Sequence, residues 1–354
     1  MRAVLYASAI ALILSLIGTP IAIRVFTRRG YVQEIRLDGV QAHLTKRGTP
    51  QMGGTVIVLS TLVAYFATKL ITGKMPTCSA LLVLLLMVGM GAVGFVDDFI
   101  KIHKRRSLGL RAKAKLVGQW IVTIAFAVLA LHFRNSMGLT PASDRISLLH
   151  DLGWLSLGPV LFVVWSYLLT AGWSNAVNLT DGQDGLATGA SVMVFAAYVM
   201  IGVWQYGQSC GTSVTSGCYE VRDPLDLAIV AASVMGSCFG FLWWNAPPAK
   251  IFMGDTGSLG LGGAFAGLSI CSRTELLAVL IGGLFVMEMM SVVIQVTSFK
   301  LRHGKRVFKI TPIHHHFEML DWPEVNITIR FWIIAGLCVV MGLGVFYGGF
   351  AAHW

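Results

Sequence analysis

Charge is the scarcest resource in this sequence: only 12% of its 354 residues are Asp, Glu, Lys or Arg. An ordinary soluble domain carries about 25%, so a fully solvated surface of the usual kind is excluded. The six cysteines include no CxxC pair or other metal spacing, which excludes a cysteine-built zinc or redox site. Cys78, Cys238, Cys271 and Cys338 fall in or beside apolar runs and read as packing residues. Cys210 and Cys218 share one loop, where a disulfide and two free thiols both stay open. No repeat, low-complexity tract or separate soluble domain is visible, so residues 1–354 read as a single polytopic membrane domain.

Apolar sequence is what the chain has in abundance: 55% hydrophobic residues, with a mean hydropathy of +0.72. A helical span needs roughly 20 apolar residues, because the bilayer core offers no water to the backbone. Ten candidate spans follow, at 3–23, 53–71, 79–99, 116–133, 157–174, 186–204, 226–244, 258–272, 276–299 and 331–350. The segment 258–272 is short and glycine-rich. The first run is too long for a signal peptide and lacks a cleavage pattern, so it reads as a true span.

Net charge is +10, but its distribution speaks for a membrane and against nucleic acid. Twenty of the 27 Lys and Arg fall in the odd-numbered loops, six in or beside the even ones, and Arg2 precedes the first span. By the positive-inside rule the odd loops are cytoplasmic and both termini are extracytoplasmic. The expectation is an all-α integral membrane protein of about ten transmembrane helices with a cytoplasmic-facing cleft.

The polar clusters share that side. Asp97 and Asp98 close span three in GFVDDFIK. Asn175, Asn178, Asp181 and Asp184 lie in SNAVNLTDGQDGLA after span five. Asn245, Lys250 and Asp255 lie in WWNAPPAKIFMGDTGSLG after span seven. His314, His315 and His316 lie in PIHHHFE after span nine, and Lys46 opens KRGTPQMGG before span two. A transporter would place its ionisable groups near the bilayer midplane, where Glu288 is the one clear acid.

Each cluster has chemistry to offer. Adjacent carboxylates at a membrane face call for neighbouring positive charge, from Mg²⁺ or from the basic run that follows. Neighbours on a helix point about 100° apart, so one can face substrate while the other is held from behind. Gly182 and Gly185 would let backbone N–H groups approach an anion. GDTGS opens a helix, where N–H groups suit phosphate. Asp255 suits a hard cation with oxygen ligands. Three consecutive His rarely share one metal, so hydrogen bonding to a diphosphate is the better reading of that motif. Most of Lys101, Arg105, Arg106, Arg111, Lys113 and Lys115 read as topology and lipid-headgroup residues, with one or two left to clamp phosphate. Solvated helix ends, N-capping and polar turns each explain single residues, not the set. The sum is metal-assisted phosphoryl transfer between a soluble diphosphate and a lipid phosphate.

With KRGTPQMGG, GFVDDFIK, NAVNLTDGQDGLA, FMGDTGSLG and PIHHHFE in that order, the chain resembles the phospho-N-acetylmuramoyl-pentapeptide-transferase family. That family lies within the polyprenyl-phosphate N-acetylhexosamine-1-phosphate transferase superfamily, and the likeness runs essentially end to end. It implies transfer from UDP-N-acetylmuramoyl-pentapeptide to undecaprenyl phosphate, giving lipid I and UMP, the first membrane step of peptidoglycan synthesis. It implies a homodimer in the bacterial cytoplasmic membrane, with Mg²⁺ as cofactor and Asp255 as metal ligand. Asp97, Asp98, Asp255 and His314 are then the catalytic candidates. Lys46, Lys115, Asn175, Asn178, Asp181, Gly182, Asp184, Asn245, Phe252, Gln295, His315 and His316 are the substrate-binding candidates, with Phe252 stacking on uracil. Two residues depart from the family pattern: Gln183 stands where DGLDG has Leu, and Gln51 where Thr or Ser precedes MGG. A sister transferase using UDP-N-acetylglucosamine and a transporter or lipid flippase are the rival readings.

Overall fold

The structure is a computed structural model, and it describes residues 1–31, 48–104, 109–211 and 217–351. Lys46, Arg105 and Arg106 lie outside the described residues.

Twelve helices account for nearly all the described secondary structure. They are α1 (Arg2–Arg28), α2 (Gly54–Thr72), α3 (Cys78–His103), α4 (Ala112–His132), α5 (Gly158–Thr180) and α6 (Leu186–Gly207). The rest are α7 (Pro224–Asn245), α8 (Gly254–Cys271), α9 (Glu275–Ile281), α10 (Gly283–Leu301), α11 (Ile313–Glu318) and α12 (Glu324–Ala351). Among the described residues, nine are long and apolar enough to cross a membrane: α1 to α7, α10 and α12. The chain is therefore an all-helical, multi-pass membrane protein, with one departure from the all-α expectation. A two-stranded antiparallel hairpin, β1 (Arg145–Ser147) and β2 (Asp151–Ser156), fills part of the loop before α5.

Two expected spans came out differently. The segment 276–299 is broken at Gly282 into α9 and α10. The segment 258–272 belongs to α8, which is not among the nine. The reason lies in its packing: all eighteen residues of α8 are buried, against α3, α5 and α2. A helix that never meets lipid needs no apolar stripe. It needs small residues that admit neighbouring backbones, as in membrane helix interfaces generally. Gly94 of α3 shows how close the approach is, since a Cβ there would lie 2.1 Å from the carbonyl oxygen of Asp255. Lipid-facing side chains are instead carried by α1, α4, α5, α10 and α12, with exposed residues such as Ile17, Ile121, Leu161, Val293 and Leu337.

The bundle has two distinct ends. The C-terminal ends of α3 and α5 and the N-terminal end of α8 meet at one, and carry the polar clusters. At the other, Tyr219 stacks on Phe346 and Phe350 near the end of α12 and on His150 beside the hairpin. There Cys210 and Cys218 form a disulfide, while Cys78, Cys238, Cys271 and Cys338 are free.

Candidate active site

The acidic cluster is assembled by a helix crossing. Asp97 and Asp98 come from the last turns of α3, and Asp255 from the first turn of α8. Ligand atoms from all three carboxylates lie within 4.8 Å of one another. Three negative charges this close in a buried place need compensation. Lys101 supplies part of it, with Nζ 2.6 Å from Asp97 Oδ2 and 3.1 Å from Asp255 Oδ2. Lys115, from the start of α4, adds a second positive charge 2.8 Å from the same Asp255 oxygen, so two lysines face three acids.

The three acids have different jobs available to them. Asp98 is wholly buried and its oxygens are taken. It accepts the backbone N–H of Asp255 (3.1 Å), the N–H and hydroxyl of Thr256 (2.9 and 2.8 Å) and the amide of Gln51 (3.3 Å). It therefore satisfies N–H groups that the first turn of α8 leaves without helical partners. Asp97 accepts the backbone N–H of Leu110 on Oδ1 (2.7 Å) and Lys101 on Oδ2. Asp255 has one oxygen on the two lysines and the other accepting Asn178 Nδ2 at 2.7 Å. The same Asn178 nitrogen donates to Ser258 at 2.8 Å.

Asp181 follows α5 directly. Burial, then the charges of Asp255 and Asp98, push its carboxyl well above the usual range, while the Gly254 N–H pulls the other way. Clustered carboxylates offer the hard oxygen donors that suit Mg²⁺. The donor set fits that ion, since among the described residues Asp97 and Asp255 are held by lysine, amide and backbone groups that a cation could displace.

The other candidates divide by what they touch. Asn245 is buried and pins the loop before α8, accepting from Thr188 (2.7 Å) and donating to the Ile251 carbonyl (2.9 Å). Asp184 holds the same loop through the Ala249 N–H at 2.9 Å. That loop delivers Phe252, whose backbone bonds to Pro50 and Gly53 while its side chain stays half-buried. Gln295 accepts from the backbone of Val307 and Phe308 and donates to the Phe308 carbonyl, so it shapes the segment leading to α11. Asn175 donates back to Ala171 of its own helix at 2.7 Å, outside the acidic cluster.

The three histidines take different partners on the short helix α11. His314 is buried with Nδ1 3.0 Å from Glu288 of α10. His315 Nδ1 lies 2.7 Å from Glu318. His316 Nδ1 accepts the Lys309 N–H at 3.1 Å, away from the other two. Gly182 is the meeting point: a Cβ there would lie 2.4 Å from His314 Nε2 and 3.2 Å from His315 Nε2. Only glycine lets the turn after α5 lie against both rings.

Sequence reasoning left Thr256, Ser258 and Glu318 out of the site, and named Lys101 only within the basic run and Glu288 only as a midplane acid. Lys101 had a readable signal, since it sits four residues after Asp97 on one helix face. Glu288 had one too, as an intramembrane acid, but its partner lies 26 residues away and only the fold brings it near.

A membrane-embedded bundle that gathers three acids, two lysines and two inward-turned histidines at one end has the makings of a phosphotransfer enzyme. Residues 80–273 match the family model described as glycosyl transferase family 4, a stretch that takes in Asp97, Asp98, Lys101, Lys115, Asn178, Asp181 and Asp255. The chain is 62% identical to the phospho-N-acetylmuramoyl-pentapeptide-transferase of Streptomyces avermitilis, with 99% of each chain covered. It is 62% identical to the protein of that name from Kineococcus radiotolerans and 59% identical to that from Frankia alni, in both cases over 100% of this chain and 99% of the relative. The chain belongs to glycosyl transferase family 4 and, within it, to the phospho-N-acetylmuramoyl-pentapeptide-transferases.

Proposed function

We propose that this enzyme transfers phospho-N-acetylmuramoyl-pentapeptide from its UDP donor to undecaprenyl phosphate, forming lipid I and UMP. The observation that carries the reading is the Asp97–Asp98–Asp255 cluster with its two lysines at one end of a membrane bundle. A soluble nucleotide sugar can meet a lipid phosphate there. The reaction is a direct displacement. An oxygen of the lipid phosphate attacks the sugar-side phosphorus, a new P–O bond forms, and the bond to UMP breaks with its electron pair leaving on UMP.

Lys101 and Lys115 are placed to pair with diphosphate oxygens once the carboxylates they now neutralise take up a cation. Asn178, which also donates to Ser258, fixes the side chain of Asp255, and Asp98 fixes its backbone. Mg²⁺, when bound, would be held by Asp255 with Asp97 and would neutralise charge on the diphosphate. Both oxygens of Asp97 have partners, which favours an orienting role over attack as a covalent nucleophile. A phosphate monoester is already mostly dianionic at neutral pH, with a second pKa of about 6, so little proton abstraction is required.

The membrane is the bacterial cytoplasmic membrane, with the site facing the cytoplasm and both termini outside. Support comes from the 20 of 27 basic residues in odd loops, and from the disulfide at the opposite end of the bundle from the acids. A homodimer is part of the same reading. The transporter alternative loses its main support, because the intramembrane acid Glu288 is tied to His314 of the site.

The test is UMP release by the purified enzyme offered UDP-N-acetylmuramoyl-pentapeptide or UDP-N-acetylglucosamine, with and without undecaprenyl phosphate and Mg²⁺. Release with the first donor only, requiring lipid and Mg²⁺, is expected. Turnover of the simple donor alone would sink the substrate assignment. Release without lipid would sink direct displacement.

A further inference from the structure

Gln183 lies in the turn between α5 and α6, where the family resemblance leads one to expect leucine. Its side chain is buried, and its Nε2 donates to Glu318 Oε1 at 2.6 Å. Its own Oε1 is buried with no hydrogen-bond partner among the described residues. An orphaned acceptor is a cost that leucine would not carry, so the amide has to be explained by the bond it does make. Glu318 uses its second oxygen on His315 Nδ1, 2.7 Å away. A carboxylate can only accept unless protonated, so the Nδ1 of His315 carries the proton in that bond. Its Nε2 is then directed at the Gly182 turn, beside Asp181. The three side chains join two segments 135 residues apart in sequence.

We propose that Gln183 is a positioning residue for His315, acting through Glu318, and that this relay sets how tightly the site holds the donor's diphosphate. The proposal rests on the function proposed above. Gln183 touches no reacting atom. It clamps one oxygen of Glu318, which leaves the other aimed at Nδ1 and fixes the ring with Nε2 toward the site. Leucine in its place would free the carboxylate to rotate, and the imidazole with it.

Four full-length variants test this: Q183L, Q183M as a second apolar replacement, this one unbranched, E318Q, and the Q183L/E318Q double. KM for UDP-N-acetylmuramoyl-pentapeptide should rise about three- to tenfold in Q183L and Q183M with little change in kcat. E318Q should do at least as much, and the double variant should match E318Q alone, because the two side chains act in series. A readout independent of turnover is the imidazole ¹⁵N spectrum, with the His315 signals assigned by their loss in H315Q. Nδ1 should give the protonated-nitrogen shift in the parent enzyme and move toward the tautomer average in Q183L. An unchanged KM in both Gln183 variants, fully additive effects, or a His315 spectrum indifferent to Gln183 would overturn the relay. If the parent enzyme fails to use this donor, the substrate assignment falls, and the spectrum alone still decides whether the relay exists.

Discussion

Asp98 accepts the backbone N–H of Asp255 at 3.1 Å, so one acid of the cluster holds in place the helix that carries another. The carboxylate does for α8 from outside what an N-cap residue does from within. Replacing it by alanine strands the N–H groups of Asp255 and Thr256 in a buried place, which costs about 1 to 3 kcal/mol. Asp98→Ala should therefore lower both the thermal midpoint and the turnover, while Asp255→Ala should cost turnover with far less stability. Thermal unfolding in detergent beside the UMP-release assay would show the contrast. Equal stability of the two variants would argue against the anchoring role.

Lys101 bridges Asp97 and Asp255, which puts its ammonium where a divalent cation would compete. Lys101→Met should reduce turnover by about 10²-fold, the usual scale for losing one charge-stabilising donor. It should also lower the Mg²⁺ concentration needed for half-maximal activity. A Mg²⁺ titration of the two enzymes checks both. A higher Mg²⁺ requirement in the variant would mean that Lys101 assists the cation instead of competing with it.

The disulfide offers a way to read orientation. In intact spheroplasts, a reductant and a maleimide that cannot cross the membrane should label Cys210 and Cys218, and only after reduction. Closing a loop of this size contributes about 2 to 3 kcal/mol in the chain-entropy account, so Cys210→Ser should lower the thermal midpoint under oxidising conditions. Labelling only after the membrane is opened would reverse the topology.

Glu275, at the start of α9, ties the hairpin down by accepting the N–H of Ser147 (2.7 Å) and its hydroxyl. Burial pushes its carboxyl up to about 7, against the pull of the Ser147 bonds and Arg273. An acid whose folded value is raised stabilises most when protonated. Its contribution is thus fully present below about pH 4.5 and lost as pH rises through 7. The full swing is on the order of 3 kcal/mol. Between pH 5 and 8 the parent enzyme should lose thermal stability relative to Glu275→Gln, which keeps an accepting oxygen and no charge. Parallel stability curves for the two would refute this assignment.

Much of the fold was legible because membrane helices announce themselves by length and apolarity. The exceptions are physical. The run 258–272 reads as a span, but α8 starts at Gly254 and lies wholly buried in the bundle centre, where its glycines admit neighbouring backbones that only the fold supplies. The break at Gly282 and the hairpin at 145–156 depend on tertiary contacts such as Glu275 with Ser147. At the site, Asp97, Asp98 and Asp255 could be read as chemistry from their motifs, but not the division of labour among them. Asp98 looks the same as Asp97 in sequence, and only the arrival of α8 turns it into an anchor. Asn245 and Gln295 were legible as polar residues near the site, yet their amides serve the loops that frame it. The departures Gln51 and Gln183 carried no visible meaning until their partners, Asp98 and Glu318, were placed beside them.

The central claim is that the carboxylate of Asp255, held by Asn178, Lys101 and Lys115, is what the transfer depends on. The most direct measurement is UMP release from UDP-N-acetylmuramoyl-pentapeptide by purified parent enzyme and Asp255→Asn, with undecaprenyl phosphate, Mg²⁺ and matched thermal midpoints. The account predicts a loss of about 10³-fold or more in the variant. An Asp255→Asn enzyme that is folded and turns over within a few-fold of the parent would contradict it.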